Sequence, residues 1–460
     1  MGPFRSTRET HLNKVPLVPG ALPLLGHTLA YDRDPLGFME FAASWGPVVR
    51  VRLGPLEAVV LREPTDIERL LMGEHKRLTK DKTTLVLRRI LGDGLLTSGG
   101  ETWIRHRKLI APIFQPASVA RLGATMLEVT EQHTRKIVCG VPRELHADMT
   151  KLTADIVTRT LFASDLGSEA DKVGLAIQAL VDHYGHGLIS IYPAFEKLPL
   201  PSNKRGRAAL DSLDGILMRI VRQARERQAS GTDLLSMLLD ARDDVGTGLG
   251  DQEVRDHLMT FFLAGHETTA LALTFTFTLL AKNPIVEERL RGEMRSVLGD
   301  KPVSPADLPR LPYARAVLLE SMRLYPPAWA IGREALEDLS IAGYALPKGS
   351  QLWLLQWVNH RDARYFPEPL EFRPDRWLDG LERTLPRFAY YPFGGGARIC
   401  IGNTFAMMEG ILALVTLLRH FRIRLVNSDK PIRTLASITL RPKDPIPVIY
   451  EQLDPRTGTP

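Results

Sequence analysis

Apolar residues recur at helical spacing along most of the chain, and this pattern predicts a mainly helical protein. The predicted helices cover residues 103–114, 120–139, 149–162, 171–189, 208–228, 233–242, 251–281, 285–298, 313–324 and 404–420. Shorter runs rich in valine and isoleucine predict a strand pair at 48–54 and 58–61, with small strands within 332–345, 351–358 and 434–449. The sequence therefore predicts a mainly α fold with small β-sheets.

One predicted helix, 251–281, is much longer than the others and contains no proline. At 1.5 Å per residue it runs roughly 45 Å, which is enough to cross a whole domain. Residues 258–281 within it are apolar enough to span a bilayer. His266 and Glu267 interrupt that segment, and its single glycine and its threonines favour a buried core helix. We therefore expect a central helix and no membrane span.

The composition of the chain limits the classes of protein to which it can belong. The 460 residues contain no linker, repeat or low-complexity tract, so we expect one domain over 1–460, with a polar tail of about residues 1–15 that carries no membrane anchor. The net charge of +6 is too small to indicate a nucleic-acid partner, although it suits a basic patch for an acidic protein. Of two cysteines, Cys139 is predicted to be a small hydrophobe in a helix. With no sign of an oxidising compartment, we expect a cytoplasmic location.

The most informative segment is the glycine-rich turn from Phe393 to Gly402, which contains Cys400 and opens onto a helical pattern. A helix N-terminus and a metal both stabilise a thiolate. Glycines let the backbone lie close under a flat ligand, and Arg398 offers a cation for a carboxylate of that ligand. These features suit a haem iron held by cysteine. A buried structural cysteine after a glycine turn is the alternative if the turn is taken alone.

The whole segment matches F-x-x-G-x-R-x-C-x-G, and on this motif the chain resembles the cytochrome P-450 (haem-thiolate monooxygenase) superfamily. Supporting motifs extend the resemblance from Pro16 to Leu440. The resemblance implies a cytochrome P-450 fold with a long central helix over haem b (iron protoporphyrin IX). It makes Cys400 the axial thiolate to the haem iron. It also implies four cofactor-binding residues, namely Phe393, Gly396, Arg398 and Gly402.

The middle of the long helix reads Ala264-Gly265-His266-Glu267-Thr268-Thr269. A glycine costs about 1 kcal/mol there, and Thr268 can bond back to the carbonyl of Ala264, so the helix can widen locally to hold O2 and a water. The alternative is that this segment is ordinary variation in the sequence of a helix. The segment resembles the family's oxygen-activation motif, which implies a proton-relay role for Thr268 and a carboxylate role for Glu267.

A second helix carries candidate ligands for the haem propionates. Trp103 and Arg107 lie at i, i+4 on one helix face, and this spacing resembles the family's propionate-binding helix. A surface Trp–Arg stack is the alternative. The resemblance implies that His106 is a weaker third donor and that Arg333 serves the second propionate with Arg398.

The segment Glu320-Ser321-Met322-Arg323, with Arg376 later in the chain, resembles the family's buried ion triad. Such a triad holds the haem loop and has a structural role. Breaking it would leave an uncompensated buried charge.

Substrate contacts are predicted from placement in the family. The candidates are Leu95, Leu263, Ala264, Ala328, Trp329, Ser437 and Ile438. These residues are mostly apolar and neutral, so they favour a hydrophobic small molecule, although each type also occurs in ordinary cores. Among substrate classes the resemblance ranks fatty acids ahead of terpenoids and polyketides.

The resemblance implies a monomeric monooxygenase that hydroxylates or epoxidises its substrate with O2. Electrons from NAD(P)H would arrive through a ferredoxin and ferredoxin reductase, or through a flavodoxin-type donor. We expect no fused reductase, because no flavin or dinucleotide fingerprint follows Cys400, and we expect the donor to dock where Arg105 and Lys108 collect. Two alternatives remain: a peroxide-using peroxygenase or isomerase, which typically lacks the Glu267–Thr268 pair, and a non-catalytic haem-thiolate sensor or lipophile-binding protein.

Overall fold

A computed structural model describes residues 12, 14–162, 176, 180, 200–226, 231 and 233–453. Its α-helices are α1 Thr28–Arg33, α2 Pro35–Ser44, α3 Pro64–Glu68, α4 Lys82–Leu85, α5 Arg88–Leu91, α6 Gly100–Ile110, α7 Pro116–Thr134, α8 Leu145–Phe162, α9 Pro201–Glu226, α10 Leu234–Asp240, α11 Asp251–Lys282, α12 Pro284–Leu298, α13 Pro312–Leu324, α14 Gln356–Asn359, α15 Asp375–Leu378, α16 Leu381–Thr384 and α17 Asn403–His420. The helix predicted over 171–189 lies outside the described residues except for 176 and 180.

The strands are β1 Val48–Leu53, β2 Leu56–Leu61, β3 Leu78–Thr79, β4 Pro142–Glu144, β5 Ile331–Ala335, β6 Leu339–Ile341, β7 Tyr344–Leu346, β8 Gln351–Leu354, β9 Phe421–Leu425, β10 Thr434–Ala436, β11 Leu440–Pro442 and β12 Pro447–Gln452. The largest sheet has the order β1-β2-β8-β5-β3, in which β2 and β8 run parallel. A second sheet has the order β4-β12-β9, and β6-β7 and β10-β11 form two hairpins. Within the described residues, these elements confirm a mainly α fold with small sheets.

The long helix α11 forms the centre of the fold. It packs against α8, α9, α13 and α17, and its phenylalanines 262, 275 and 277 are almost fully buried. Residues 269–280 are buried on all sides, which explains why this part of the helix is apolar all round apart from its threonines. Among the described residues, no single helix is long and apolar enough to cross a membrane; only α11 and α12 taken together, at a bend of 109°, meet that requirement.

One predicted helix ends earlier than expected, and this corrects the prediction for Cys139. The helix α7 ends at Thr134, and Lys136 and Ile137 donate their N–H groups to the carbonyls of His133 and Thr134 in closing turns. Gly140 then adopts a φ of +78°, and its N–H bonds to the carbonyl of Tyr450 in β12. The chain must turn there because β4 pairs with β12, so the half-buried Cys139 lies in a turn.

The triad of Glu320, Arg323 and Arg376 forms one buried ion-pair cluster. The two oxygens of Glu320 accept from Arg323 at 2.9 Å, from Arg376 at 3.0 Å and from the indole N–H of Trp377 at 2.9 Å. The Trp377 ring packs against Tyr390, with 4.5 Å between ring centroids. This contact connects the cluster to a residue three positions before Phe393, so the cluster can support the cysteine turn.

Candidate functional site

The cysteine turn is closed by its own backbone. The N–H of Cys400 donates to the carbonyl of Phe393 at 2.9 Å, and that of Ile399 donates to Gly396 at 3.1 Å. Gly394 and Gly396 have φ values of +70° and +69°, which favour glycine. The turn places Cys400 three residues before α17 begins at Asn403.

Two glycines in this turn also have close neighbours within the protein. A Cβ on Gly396 would lie 2.0 Å from the carbonyl oxygen of Leu71, and one on Gly395 would lie 2.2 Å from the ring of Phe388. The close neighbours are therefore groups of the protein itself. At Gly402 a Cβ would lie 4.0 Å from the sulfur of Cys400, which is ordinary contact.

Cys400 forms no disulfide, and its residue is exposed at the protein surface that lines the site. Burial nevertheless raises the pKa of its thiol, while the Gly402 N–H and the positive charges of Arg107 and Lys80 act to lower that pKa. Accessibility combined with desolvation indicates that the sulfur faces an interior recess. A sulfur in such surroundings can bind a metal as the thiolate.

Arginines from two distant segments meet beside the cysteine turn. Arg333 and Arg398 line one small pocket with Gly395. Arg398 donates to the carbonyl of Ser98 at 3.1 Å, and its guanidinium lies over the Trp103 ring at 4.2 Å. Burial lowers the pKa of both arginines to about 10, and the charge of Arg333 adds to this effect on Arg398. The two cations are therefore crowded and poorly hydrated.

Lys80 is a third cation at this place, and the sequence argument missed it. Burial and the charges of Arg333 and Arg398 lower the pKa of Lys80 well below its usual value, while Asp81 and Cys400 act in the opposite direction. Lys80 follows the short strand β3 and belongs to no motif that marks a ligand. We refer to Lys80, Arg333 and Arg398 as the cation cluster.

The three candidate propionate ligands on α6 have different neighbours. Trp103 contacts Arg398, and the charge of Arg107 acts on the Cys400 thiol. His106 instead pairs with Glu253 at 2.9 Å, and its ring packs edge-on against His257. Its Nδ1 has no hydrogen-bond partner among the described residues, so the role of His106 as a third propionate donor stays a prediction.

The proposed docking cations are also engaged elsewhere. Arg105 donates to Asp243 and Glu253 at 3.0 Å and to the carbonyl of Gly248 at 2.7 Å. Lys108 pairs with Asp244. Both charges are neutralised by the segment that leads into α11, so the structure does not support these two residues as a basic patch for a donor.

The middle of α11 has the back-bonded geometry that the sequence predicted. The hydroxyl of Thr268 donates to the carbonyl of Ala264 at 2.6 Å. Ala264 is exposed and Thr268 half-buried, so this stretch of the helix opens onto free space. Gly265 has an additional reason to be glycine, because a Cβ would lie 3.3 Å from Val157 of α8. The hydroxyl of Thr153, also on α8, donates to the carbonyl of His266 at 2.8 Å.

Glu267 makes contacts that no sequence motif indicated. Its Oε1 accepts from the hydroxyl of Thr439 at 2.8 Å and from Arg441 Nε at 2.5 Å. Both partners belong to the hairpin β10–β11, 172 and 174 residues further along the chain. The Glu267 carboxylate is buried and packs against that hairpin.

Three of the predicted substrate residues line one groove of about 1140 Å³. They are Trp329, Ser437 and Ile438, and the indole N–H of Trp329 donates to the carbonyl of Ser437 at 2.8 Å. The other candidates are dispersed: Leu95 packs in the main core, while Leu263 and Ala328 are half-buried. Tyr31, Val86 and Trp353 also line the groove, and the sequence did not single them out.

Comparison with known proteins identifies the family. A family model described as Cytochrome P450 matches residues 16–449. Cyclooctatin synthase of Streptomyces melanosporofaciens is 35% identical over 94% of this chain and 95% of that protein, and pentalenene oxygenase of Streptomyces avermitilis is 32% identical over 92% and 94%. The crystal structure of the cytochrome P450DA haem domain matches with a TM-score of 0.86 at 28% identity, and the match covers 96% of this chain and 98% of that one. The chain belongs to the cytochrome P450 family.

Membership of this family makes the protein a haem- and O2-dependent monooxygenase. The residues present fit a haem on two counts. Cys400 supplies a sulfur in an interior recess, as a thiolate ligand requires. Arg333 and Arg398 line one pocket, and their charges also lower the pKa of Lys80, so the carboxylates of iron protoporphyrin IX would compensate these crowded cations.

Proposed function

We propose that this protein inserts one oxygen atom from O2 into a hydrophobic small molecule, by hydroxylation or epoxidation. Two electrons would come from NAD(P)H through a separate ferredoxin system or a flavodoxin-type donor. The balanced reaction is substrate plus O2, NAD(P)H and a proton giving oxygenated substrate, water and NAD(P)+. The observation that carries the proposal is that the turn ending at Cys400 brings Gly395 and Arg398 into one pocket with Arg333.

Each residue of the recess has a binding role in this proposal. Cys400 ligates the iron, and the cation cluster and Trp103 bind the two propionates. When bound, a thiolate-ligated haem supplies O2 activation and favours O–O cleavage. The backbone bond from Cys400 to Phe393 and the close contact of Gly396 with Leu71 fix the position of the sulfur.

On α11, Thr268 has the proton-transfer role. Its hydroxyl donates to the carbonyl of Ala264, so the lone pairs of its oxygen can accept a hydrogen bond from a water in the proton path. Glu267 is the adjacent acid, and a carboxylate next to a hydroxyl can replenish its proton.

The substrate class that we favour is a cyclic terpenoid. Two relatives are named for cyclooctatin and pentalenene, and they match nearly the whole chain. The groove combines the apolar side chains of Val86, Trp329, Trp353 and Ile438 with charged residues such as Asp32, Arg33 and Arg433, and its apolar part suits a hydrocarbon skeleton. The relatives' names favour terpenoids over the fatty acids that the sequence motifs ranked first.

The test is product formation from a panel of cyclic terpenes and fatty acids, with NADPH and a surrogate ferredoxin and reductase. We expect products heavier by one oxygen atom from terpenes, and labelled oxygen from 18O2 should appear in them. A parallel reaction with hydrogen peroxide and no NADPH tests peroxide-driven chemistry. Turnover only with peroxide, or none with either oxidant despite bound haem, would overturn the proposal.

A further inference from the structure

Glu267 has a buried ion-pair partner, Arg441, to which the proposed function gives no role. Its side chain is 7% exposed, and that of Arg441 is 14% exposed. The histidines close to this pair, His146 and His266, have pKa values lowered mainly by burial, to about 4 for His266. Both are therefore neutral near pH 7. Arg441 is the cation that compensates Glu267, and Glu144 is a further acid near His146.

The hairpin that supplies Arg441 also reaches the groove. We define it as residues 434–442, comprising β10, β11 and the turn between them. Its tip residues Ser437 and Ile438 line the groove, and its Leu440 N–H donates to the carbonyl of Pro327 at 2.9 Å. Only two residues separate Ile438 from Arg441. A molecule that presses on the tip therefore acts on a short, rigid element that also holds Glu267.

The contacts of Glu267 and Thr268 are separate. Glu267 is bound by Thr439 and Arg441, whereas Thr268 is bound to Ala264 on its own helix. A buried carboxylate does not leave a cation and a hydroxyl donor without compensation, because an unpaired buried charge is strongly unfavourable. Release of Glu267 towards Thr268 therefore requires the hairpin to move or Arg441 to withdraw.

We propose that Arg441 is a positioning residue that, with Thr439, holds Glu267 on the hairpin until substrate at the hairpin tip releases it. Arg441 thereby makes proton delivery to Thr268 depend on an occupied groove. This proposal rests on the proposed function for its catalytic consequence. The mechanical link between Glu267 and the hairpin does not depend on that function.

The first test measures the mechanical link without turnover. Amide hydrogen exchange of residues 434–442 is compared in wild type, Arg441→Gln, Glu267→Gln and the double variant. We expect faster exchange in each single variant and no further increase in the double variant, because one shared contact is lost. Arg424→Gln, which removes the exposed pair with Glu451, is the matched control and should leave the hairpin unchanged. Additive effects of the two single changes would overturn the link.

The second test uses whichever substrate the panel identifies. Without substrate, leaking turnover consumes NADPH as O2 plus NADPH and a proton giving hydrogen peroxide and NADP+. In wild type, substrate should strongly accelerate NADPH oxidation. In Arg441→Gln the factor of acceleration should be smaller by about fivefold or more, which is a typical magnitude for coupling between two sites. Arg441→Lys should restore most of it. The ratio of rates in H2O and D2O should also change in Arg441→Gln, which a purely structural role would not cause.

The two tests separate the possible failures. If wild type forms no product while the exchange result holds, the proposed function fails and the link between the hairpin and Glu267 stands. If product forms and Arg441→Gln keeps both the wild-type acceleration and the wild-type ratio in D2O, the gating role of Arg441 is wrong.

Discussion

The cysteine turn and the middle of α11 carry the two halves of the site, and they are held in different ways. In the turn, Cys400 is fixed by a backbone bond to Phe393, seven residues earlier. On α11, the orientation of Glu267 depends on Arg441, 174 residues away. A motif can encode the first kind of contact because all of its parts are adjacent in sequence. It cannot encode the second, because the partner is brought in by a hairpin whose sequence has no fixed spacing from α11.

The largest effect is expected at the turn. Cys400→Ser removes the sulfur that the proposal assigns to iron, so product formation should fall to background and the thiolate signature of the haem spectrum should vanish. Cys139→Ser is the control, because Cys139 lies half-buried in a turn outside the site. Retained turnover in Cys400→Ser, measured with the terpene panel, would exclude Cys400 as the ligand.

The support beneath the turn is tested by Glu320→Gln. This change leaves Arg323 and Arg376 as uncompensated buried charges, so the free energy of unfolding should fall by about 3–5 kcal/mol. Urea denaturation measures it. Glu382→Gln breaks the exposed pair with Arg315 and should cost less than about 1 kcal/mol. Equal losses in the two variants would show that the triad does not stabilise the fold in the way we infer.

On the α11 side, Thr268→Ala removes the hydroxyl at which we place proton transfer. The rate of product formation should fall by roughly 10²-fold, while NADPH oxidation continues and yields hydrogen peroxide. The control is Thr276→Ala, which removes an equivalent bond from a buried threonine to Ala272 two turns later in the same helix. Full coupling of NADPH to product in Thr268→Ala would remove Thr268 from the relay.

A smaller effect is expected at Lys80, which belongs to neither motif. Lys80→Met removes one cation of the cluster, so haem should leave the protein about tenfold faster, as for loss of one charge-assisted hydrogen bond. Transfer of haem to an excess of apomyoglobin measures this rate. The exposed Lys76 gives the control variant Lys76→Met. An unchanged rate in Lys80→Met would place the propionates elsewhere.

Much of the fold could be predicted from the sequence, since apolar periodicity depends on local spacing. The long helix was predicted to within one residue of its observed bounds, Asp251–Lys282. The end of α7 was predicted five residues too late, because the pairing of β4 with β12 forces a turn before Cys139. The contact of His106 with Glu253 was also not predictable, because Glu253 lies 147 residues further along the chain.

By itself, the sequence determined the class of chemistry. The cysteine turn and the Glu267–Thr268 motif are each one continuous stretch of sequence. The physical requirements on their residues are local, since glycine allows a positive φ, threonine bonds back to the preceding helical turn and cysteine can bind a metal. Only the tertiary structure decided which charges face these motifs. Lys80 joins Arg333 and Arg398, and Arg441 binds Glu267, because folding brings distant segments together where water is excluded. Buried charges act strongly only on the groups that packing places beside them.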